Sequence, residues 1–335
     1  MVNVFLPFLV SFIVGLLLAP LILKIAKKLH ANQTILHYVT VHKSKEGTPT
    51  LGGLIFLLST LITCLFFFDG QAYLAWVAIA VFLSFGLLGF LDDFIKIRTH
   101  KNMGLRAYQK IIGQVGISGI LAWFVYSSGL VGSTIYLPWS FVEVDIGIWI
   151  IPLVIITYLA MTNSANLTDG LDGLAGGVSF ISLGYLVAII FILNEMMLNN
   201  GESLLMYKEY SNMLVLGVAV MGGLLAFLCF NSHPASIFMG DTGSLSLGGI
   251  LASLALFSGQ ALVLPIICIT FVMSAVSVIM QVGYFKMKHK RIFLMAPLHH
   301  HFEQKGVNET KIVAIYIVIT ILAGVVSLLL CLLGR

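Results

Sequence analysis

The chain has 335 residues, of which 59% are hydrophobic and only 10% are charged, and its formal net charge is +4. Soluble domains carry about 25% charged residues, so this composition excludes an ordinary soluble protein and favours an integral membrane protein. The four cysteines lie singly in or beside apolar stretches, without CxxC or Cys/His spacing, so we expect free thiols and no zinc site.

The apolar residues form ten continuous runs, which predict ten transmembrane helices. A helix needs roughly 20 apolar residues to cross the bilayer core, and continuous runs favour helices over the alternating pattern of a β-barrel. The runs are 5–25, 52–68, 72–90, 111–131, 146–161, 174–193, 213–230, 245–257, 261–284 and 312–333. We therefore predict an all-α integral membrane protein in which residues 1–335 form a single polytopic domain.

The basic residues indicate which side of the membrane each connecting segment faces. Lys27 and Lys28 follow the first run, and cytoplasmic segments carry the excess of Lys and Arg. A basic segment does not precede that run, so we do not expect a cleaved signal peptide. We predict that both termini lie outside and that the cytoplasmic segments are about residues 26–51, 91–110, 162–173, 231–244 and 285–311. These segments and their flanks hold all nine His and 16 of the 18 Lys and Arg.

The first cytoplasmic segment ends in a turn, Gly47-Thr48-Pro49-Thr50. Glycine and proline favour a tight turn there, and Lys45 together with the Thr hydroxyls would hold a phosphate group. The alternative is a basic flank followed by a helix start.

The second segment opens with adjacent acids, Asp92 and Asp93, at the end of an apolar run. Charges in that position are costly unless they are used, and neighbouring carboxylates need Mg²⁺, a proton or a cationic partner. Lys96 lies one helical turn after Asp92 and is a candidate partner. Lys110 closes a basic stretch suited to an anionic head group. An interfacial ion pair is the alternative interpretation.

The third segment carries Asn166, Asp169 and Asp172 at intervals of three residues. In a helix or turn they share one broad face, and the segment has no basic residue. We expect them to face an external cation or donor, such as magnesium or a nucleobase. The alternative is a turn that caps the next helix.

The fourth segment runs from Asn231 to Ser244 and contains Phe238 and Asp241. Glycines on both sides of Asp241 would let backbone amides approach a phosphate or a metal ion. An N-cap is the alternative role for Asp241. Phe238 would either pack into lipid or stack on a base.

The fifth segment contains three consecutive histidines, His299, His300 and His301, after Pro297. Three successive side chains cannot all face one way on a helix or strand, so we do not expect a three-His metal site. In a loop, two of the three would reach a phosphate or a sugar.

Acids that coordinate Mg²⁺ beside cations that neutralise phosphate are what phosphoryl transfer between two anions requires. The stretches 45–53, 92–96, 166–174, 238–243 and 297–303 together resemble the bacterial phospho-N-acetylmuramoyl-pentapeptide transferases, within the wider superfamily of polyprenyl-phosphate N-acetylhexosamine-1-phosphate transferases. The resemblance implies a Mg²⁺-dependent enzyme of the bacterial cytoplasmic membrane with its active site on the cytoplasmic face. It implies that UDP-MurNAc-pentapeptide and undecaprenyl phosphate react to give lipid I and UMP.

The resemblance also implies roles for individual residues. Asp92, Asp93, Asp241 and His299 would be catalytic, with Asp241 as the metal ligand. The substrate-binding set would be Lys45, Thr50, Lys96, Lys110, Asn166, Asp169, Asp172, Asn231, Phe238, His300 and His301, with Phe238 stacking on the uracil. We expect membrane lipid and no nucleic acid among the partners, and a homodimer is a further hypothesis.

Three alternative functions differ in substrate or class. A sister enzyme would transfer N-acetylglucosamine-1-phosphate to the same lipid. A transporter would place its charges near the bilayer midplane, whereas these acids lie at the ends of apolar runs. A membrane scaffold would leave the acid cluster unexplained.

Overall fold

The computed structural model describes residues 2–29, 31, 47–99, 104–138, 142–199 and 203–333. Over these ranges the chain forms twelve α-helices, one short 3-10 helix (Gly147–Trp149) and one two-stranded hairpin. The helices are α1 (Val2–Lys28), α2 (Gly53–Phe67), α3 (Tyr73–Thr99), α4 (Ala107–Ser127), α5 (Ile150–Thr168), α6 (Leu174–Asn199), α7 (Leu204–Asn231), α8 (Gly240–Phe257), α9 (Leu264–Ile267), α10 (Ile269–Lys288), α11 (Leu298–Gln304) and α12 (Glu309–Leu333). The strands β1 (Thr134–Tyr136) and β2 (Glu143–Asp145) pair antiparallel, with Ile135 opposite Val144.

Nine of the ten predicted apolar runs each correspond to one helix, and the run 261–284 contains two. Among the described residues, nine helices are long and apolar enough to cross a membrane, and α2, with 15 residues, is shorter. The prediction of an all-α integral membrane protein with about ten membrane helices is confirmed.

The helices extend beyond the apolar runs where the acids lie. α3 continues past the predicted end at residue 90, α5 continues past residue 161, and α8 begins before residue 245. These boundaries were wrong because hydropathy marks only the apolar part of a helix and omits its charged end. Asp92, Asp93 and Asp241 therefore lie on helix ends and not in loops.

Three short elements were not predicted from the sequence. The hairpin β1–β2 lies in the connection between α4 and α5, and the run 261–284 is divided between α9 and α10. The three histidines lie on the short helix α11, so the expectation of a loop was wrong. Elements of three to seven residues are too short to leave a clear periodic signal in the sequence.

Helix α8 lies inside the bundle, and every residue from Thr242 to Phe257 is buried. Helices α3 and α5 pack against α8, whereas α1, α2 and α6 pack along α7. This arrangement brings the end of α3 and the end of α5 beside the first turn of α8. The polar residues of the second, third and fourth segments therefore meet at one place.

Candidate active site

Three carboxylates meet where α3 ends and α8 begins. Asp92 and Asp93 lie in the last turns of α3, and Asp241 is the second residue of α8. One oxygen atom from each of the three lies within 4.8 Å of the others. Only 1% of the Asp92 side chain and 3% of the Asp93 side chain are exposed. Three carboxylates so close together and so poorly hydrated require cations.

Two lysines supply positive charge to this cluster. Lys96 Nζ lies 2.6 Å from Asp92 Oδ2 and 3.2 Å from Asp241 Oδ2. Lys110, at the start of α4, lies 3.3 Å from Asp92 Oδ2 and also forms an ion pair with Asp241 Oδ2. The two ammonium groups therefore bridge the same pair of acids, and each remains partly open to solvent.

Asp93 is engaged differently from Asp92, because its carboxylate caps the first turn of α8. The backbone N–H and the hydroxyl of Thr242 donate to Asp93 Oδ2 at 2.9 and 2.7 Å. The backbone N–H of Asp241 donates to Asp93 Oδ1 at 3.2 Å. A carboxylate at this position satisfies helix N–H groups and is favoured by the helix dipole.

Asp241 is also held from the side of α5. The Asn166 side chain donates to Asp241 Oδ1 at 2.7 Å and to Ser244 Oγ at 2.8 Å. Lysines contact Oδ2 and the amide contacts Oδ1, so both oxygens of Asp241 are oriented. The candidate metal ligand is thus positioned by three different helices.

Two glycines allow α3 and α8 to approach this closely. A Cβ atom on Gly89 would overlap the backbone carbonyl group of Asp241, so only glycine fits at this helix contact. Gly240 has a φ of +69°, and a side chain there would collide with Thr50 Oγ1 and the Asp93 carboxylate. The position of Thr50 beside Gly240 brings the predicted turn of the first segment to the cluster.

Asp169 lies just after α5, near the cluster but without sharing its lysines. Burial raises the pKa of Asp169 to about 8, and the negative charges of Asp241, Asp93 and Asp172 add to the effect. In the protein without ligands, Asp169 therefore keeps its proton near neutral pH.

Asp172 faces a different set of partners from Asn166, so the predicted common face divides in two. Its Oδ2 atom accepts the backbone N–H of Ala235 at 3.0 Å and lies 3.1 Å from His233 Nδ1. Its backbone N–H donates to Glu309 Oε1 at 2.7 Å. Asp172, His233 and Glu309 form a second polar cluster between the third and fourth segments and α12.

Asn231 and Phe238 connect the fourth segment to its neighbours. The buried Asn231 amide accepts the N–H of Gly173 at 3.0 Å and donates to the carbonyl of Ile237 at 2.9 Å. The backbone of Phe238 bonds to the carbonyl of Pro49 and to the N–H of Gly52. Phe238 is half-buried. Asn231 has its amide engaged by backbone groups, which indicates a bracing role.

The three histidines point to different partners. His299 is fully buried, and its ring lies 4.4 Å from that of His300 between centroids. Both rings approach Gly170, the residue after Asp169. His301 instead accepts the backbone N–H of Leu294 through Nδ1 at 3.1 Å. The structure therefore brings two of the three histidines toward the third segment, and Lys45 lies outside the described residues.

Comparison with known proteins identifies the family. The model of Glycosyl transferase family 4 matches residues 74–259, which include the carboxylate cluster. A phospho-N-acetylmuramoyl-pentapeptide-transferase of Clostridium perfringens is 42% identical over 313 residues, covering 93% of each chain. Proteins of the same name from Desulfitobacterium hafniense and Clostridioides difficile are each 39% identical. The match to the first covers 98% of this chain and 97% of that protein. The match to the second covers 96% of this chain and 95% of that protein.

The chain belongs to the phospho-N-acetylmuramoyl-pentapeptide-transferase family. It is accordingly a transferase, and its apolar helices make it a multi-pass bacterial membrane protein. The resemblance inferred from the five polar motifs is confirmed.

The oxygen atoms of the carboxylate cluster suit a hard divalent cation. Asp92, Asp93 and Asp241 offer carboxylate oxygens, and the Lys96 and Lys110 ammonium groups already bridge two of them. Oxygen ligands of this kind are preferred by Mg²⁺ and Ca²⁺. The residues therefore fit a metal ion at the Oδ2 atoms of Asp92 and Asp241, which contact the lysine side chains, whereas both oxygens of Asp93 accept from the first turn of α8.

Several contact residues were missed by sequence reasoning. Thr242 lies within the recognised stretch 238–243 and Ser244 directly follows it; they complete the contacts of Asp93 and Asn166. The motif could have suggested them, because both hydroxyls follow Asp241 within one turn. His233 and Glu309 carried no comparable signal, since each lies alone among unlike neighbours in the sequence.

Proposed function

We propose that the protein transfers phospho-N-acetylmuramoyl-pentapeptide from UDP-MurNAc-pentapeptide to undecaprenyl phosphate, producing lipid I and UMP. The observation that carries this proposal is the cluster of Asp92, Asp93 and Asp241 bridged by Lys96 and Lys110 in a membrane bundle. The names of relatives that match over most of the chain support the substrates.

We assign the metal of this reaction as Mg²⁺, held by Asp241 with Asp92 beside it. When bound, the ion would neutralise phosphate charge so that two anionic esters can meet. Asn166 orients the other oxygen of Asp241, so the carboxylate can present a fixed direction to the ion.

The reaction itself is proposed as a direct displacement. An oxygen of the lipid phosphate attacks the sugar-bearing phosphorus, the bond to the bridging oxygen breaks, and UMP leaves with the electron pair. The second pKa of a phosphate monoester is about 6, so the attacking group is largely dianionic and a strong base is unnecessary. Asp92 orients this group or removes its residual proton, and Lys96 and Lys110 neutralise the phosphates. A phospho-aspartate intermediate is the rival scheme.

The nucleotide would extend from the cluster toward Asp172. Asn166 and Asp169 would line its path. Asp172, Lys45 and Phe238 would hold the uracil, with the half-buried Phe238 stacking on it. His299 and His300, which approach Gly170, would serve the diphosphate or the sugar. His301 makes its contact within its own segment, which favours a supporting role.

The sidedness follows from the chemistry of the substrates. A water-soluble nucleotide meets a membrane-held acceptor only at an interface, and the basic segments favour the cytoplasmic one. We place the active site at the cytoplasmic face and both termini outside.

The deciding experiment uses purified protein in detergent with radiolabelled UDP-MurNAc-pentapeptide and undecaprenyl phosphate. We expect label to enter an organic-extractable product with Mg²⁺ and to stop doing so after exhaustive chelation. A parallel reaction with UDP-N-acetylglucosamine separates the sister activity. Transfer from that donor alone, or equal transfer without a divalent ion, would reject the proposal.

A further inference from the structure

A pair of side-chain amides joins α4 to α5 next to the carboxylate cluster. Asn163 Nδ2 donates to Gln114 Oε1 at 2.7 Å, and Gln114 Nε2 donates back to Asn163 Oδ1 at 3.4 Å. The same Asn163 nitrogen also donates to the carbonyl of Leu159 at 2.8 Å. Gln114 is fully buried. The two amides therefore form a reciprocal contact in a low-dielectric setting, where intramembrane polar residues are usually functional.

The position of this pair relates it to Asp241. Gln114 lies four residues after Lys110 on α4, and Asn163 lies three residues before Asn166 on α5. Residues at these spacings share one helix face. Lys110 contacts Oδ2 of Asp241 and Asn166 contacts Oδ1. The amide pair thus joins α4 and α5 one helical turn away from Lys110 and Asn166, which contact opposite oxygens of Asp241.

We propose that Gln114 and Asn163 are positioning residues that fix the register of Lys110 and Asn166 on Asp241. The proposal rests on the proposed function, because its effect is read out in phosphoryl transfer. A slide of one residue along either helix is 1.5 Å, and that distance would separate an ion pair or an amide contact from Asp241. Neither amide touches the cluster itself, so the pair acts only through Lys110 and Asn166.

Removing one amide leaves the buried Gln114 or the half-buried Asn163 without its reciprocal partner, and α4 becomes free to shift against α5. Misplacement by about 1 Å can cost about 100-fold in rate, so we expect Gln114→Ala and Asn163→Ala to lower kcat by about 10- to 100-fold. The apparent affinity for Mg²⁺ should weaken because Asp241 loses its fixed orientation. The KM for UDP-MurNAc-pentapeptide should stay unchanged, since the uracil end is held elsewhere.

The test compares single and exchanged amides in the full-length protein in detergent. Gln114→Asn alone and Asn163→Gln alone change the reach of one side chain and should each lower kcat. The double variant Gln114→Asn/Asn163→Gln restores the combined reach and should recover most of the activity. Because all three variants keep an amide at both positions, they remain informative if the alanine variants fail to fold.

A matched control removes a buried interhelical contact elsewhere. Thr270 Oγ1 and Thr320 Oγ1 lie 3.0 Å apart between α10 and α12. Thr270→Val should lower the melting temperature without changing the Mg²⁺ concentration for half-maximal activity. If the Gln114 and Asn163 variants behave like Thr270→Val, or if the exchange does not rescue kcat, the proposal is overturned. An inactive wild type would instead reject the proposed function.

Discussion

The carboxylate of Asp93 caps the helix that carries Asp241. Both oxygens of Asp93 accept hydrogen bonds from the first turn of α8, including two from Thr242. The neighbouring Asp92 instead faces Lys96 and Lys110. Two adjacent acids that look equivalent in the sequence therefore have different partners. Asp93 on α3 supplies the cap for the first turn of α8.

This cap predicts a loss of stability when Asp93 is replaced. Asp93→Ala leaves three donors of α8 without their acceptor and should lower the free energy of unfolding by about 1–2 kcal/mol. Thr242→Val removes one of those donors and should have a smaller effect. Thermal unfolding of the purified proteins in detergent measures both, and a double variant tests whether the two losses overlap. An unchanged melting temperature for Asp93→Ala would contradict the capping role.

The proposed metal ligand gives a direct test of turnover. Asp241→Asn keeps the size of the side chain but removes the charge that contacts both lysines, so Mg²⁺-dependent transfer should fall by at least about 100-fold, the scale of losing one electrostatic group. Asp145→Asn makes the same substitution in strand β2 of the hairpin and serves as the control. Wild-type rates for Asp241→Asn at saturating Mg²⁺ would refute the assignment.

The raised pKa of Asp169 predicts a pH-dependent stability. The folded protein keeps the proton up to about pH 8, whereas an unfolded Asp loses it near pH 4. Between these values the folded state binds more protons, so stability falls as pH rises and levels off above pH 8. Asp169→Asn cannot ionise and should gain in melting temperature relative to wild type as the pH is raised from 5 to 8.5. A constant difference between the two proteins over that range would exclude the shifted pKa.

The close contact of α3 with α8 predicts a steric effect at Gly89. Gly89→Ala places a Cβ atom against the carbonyl of Asp241, and overpacking of this kind costs about 1–3 kcal/mol. Gly116→Ala on α4 has open space around it and should be neutral or stabilising. Melting temperatures and transfer rates of the two variants should diverge. Equal melting temperatures and equal transfer rates would show that α3 and α8 lie farther apart at Gly89 than in this structure.

The proposed topology is tested by labelling single cysteines in intact cells. Val142, which the proposed topology places outside, and Lys290 after α10 are both exposed. Cys229 can be replaced by Ala to remove the exposed native thiol. A membrane-impermeant maleimide should label Val142→Cys in intact cells. Lys290→Cys should react only after permeabilisation. The reverse labelling pattern would place the carboxylate cluster on the outer side of the membrane and would refute the proposed function.

The membrane helices could be predicted from the sequence because each is marked by its own continuous apolar run. The convergence of the polar segments could be predicted because the charged residues cluster in alternate connections. The contact of Lys96 with Asp92 was also foreseeable, since it joins residues one turn apart. The cap of α8 was not foreseeable because Asp93 and Thr242 are far apart in the chain. Gln114 and Asn163 were overlooked for the same reason, because they are 49 residues apart and neither the apolar run 111–131 nor the polar segment 162–173 reveals the contact.

The bridging lysines have a consequence for how the enzyme should respond to chelators. Within the described part of the chain, Lys96 and Lys110 give the cluster two internal counter-ions for its three acids. Because these two positive charges offset most of the negative charge before any ligand binds, we expect the acids to stay together without a metal ion. Chelation should accordingly abolish transferase activity without unfolding the protein, and activity should return when Mg²⁺ is restored.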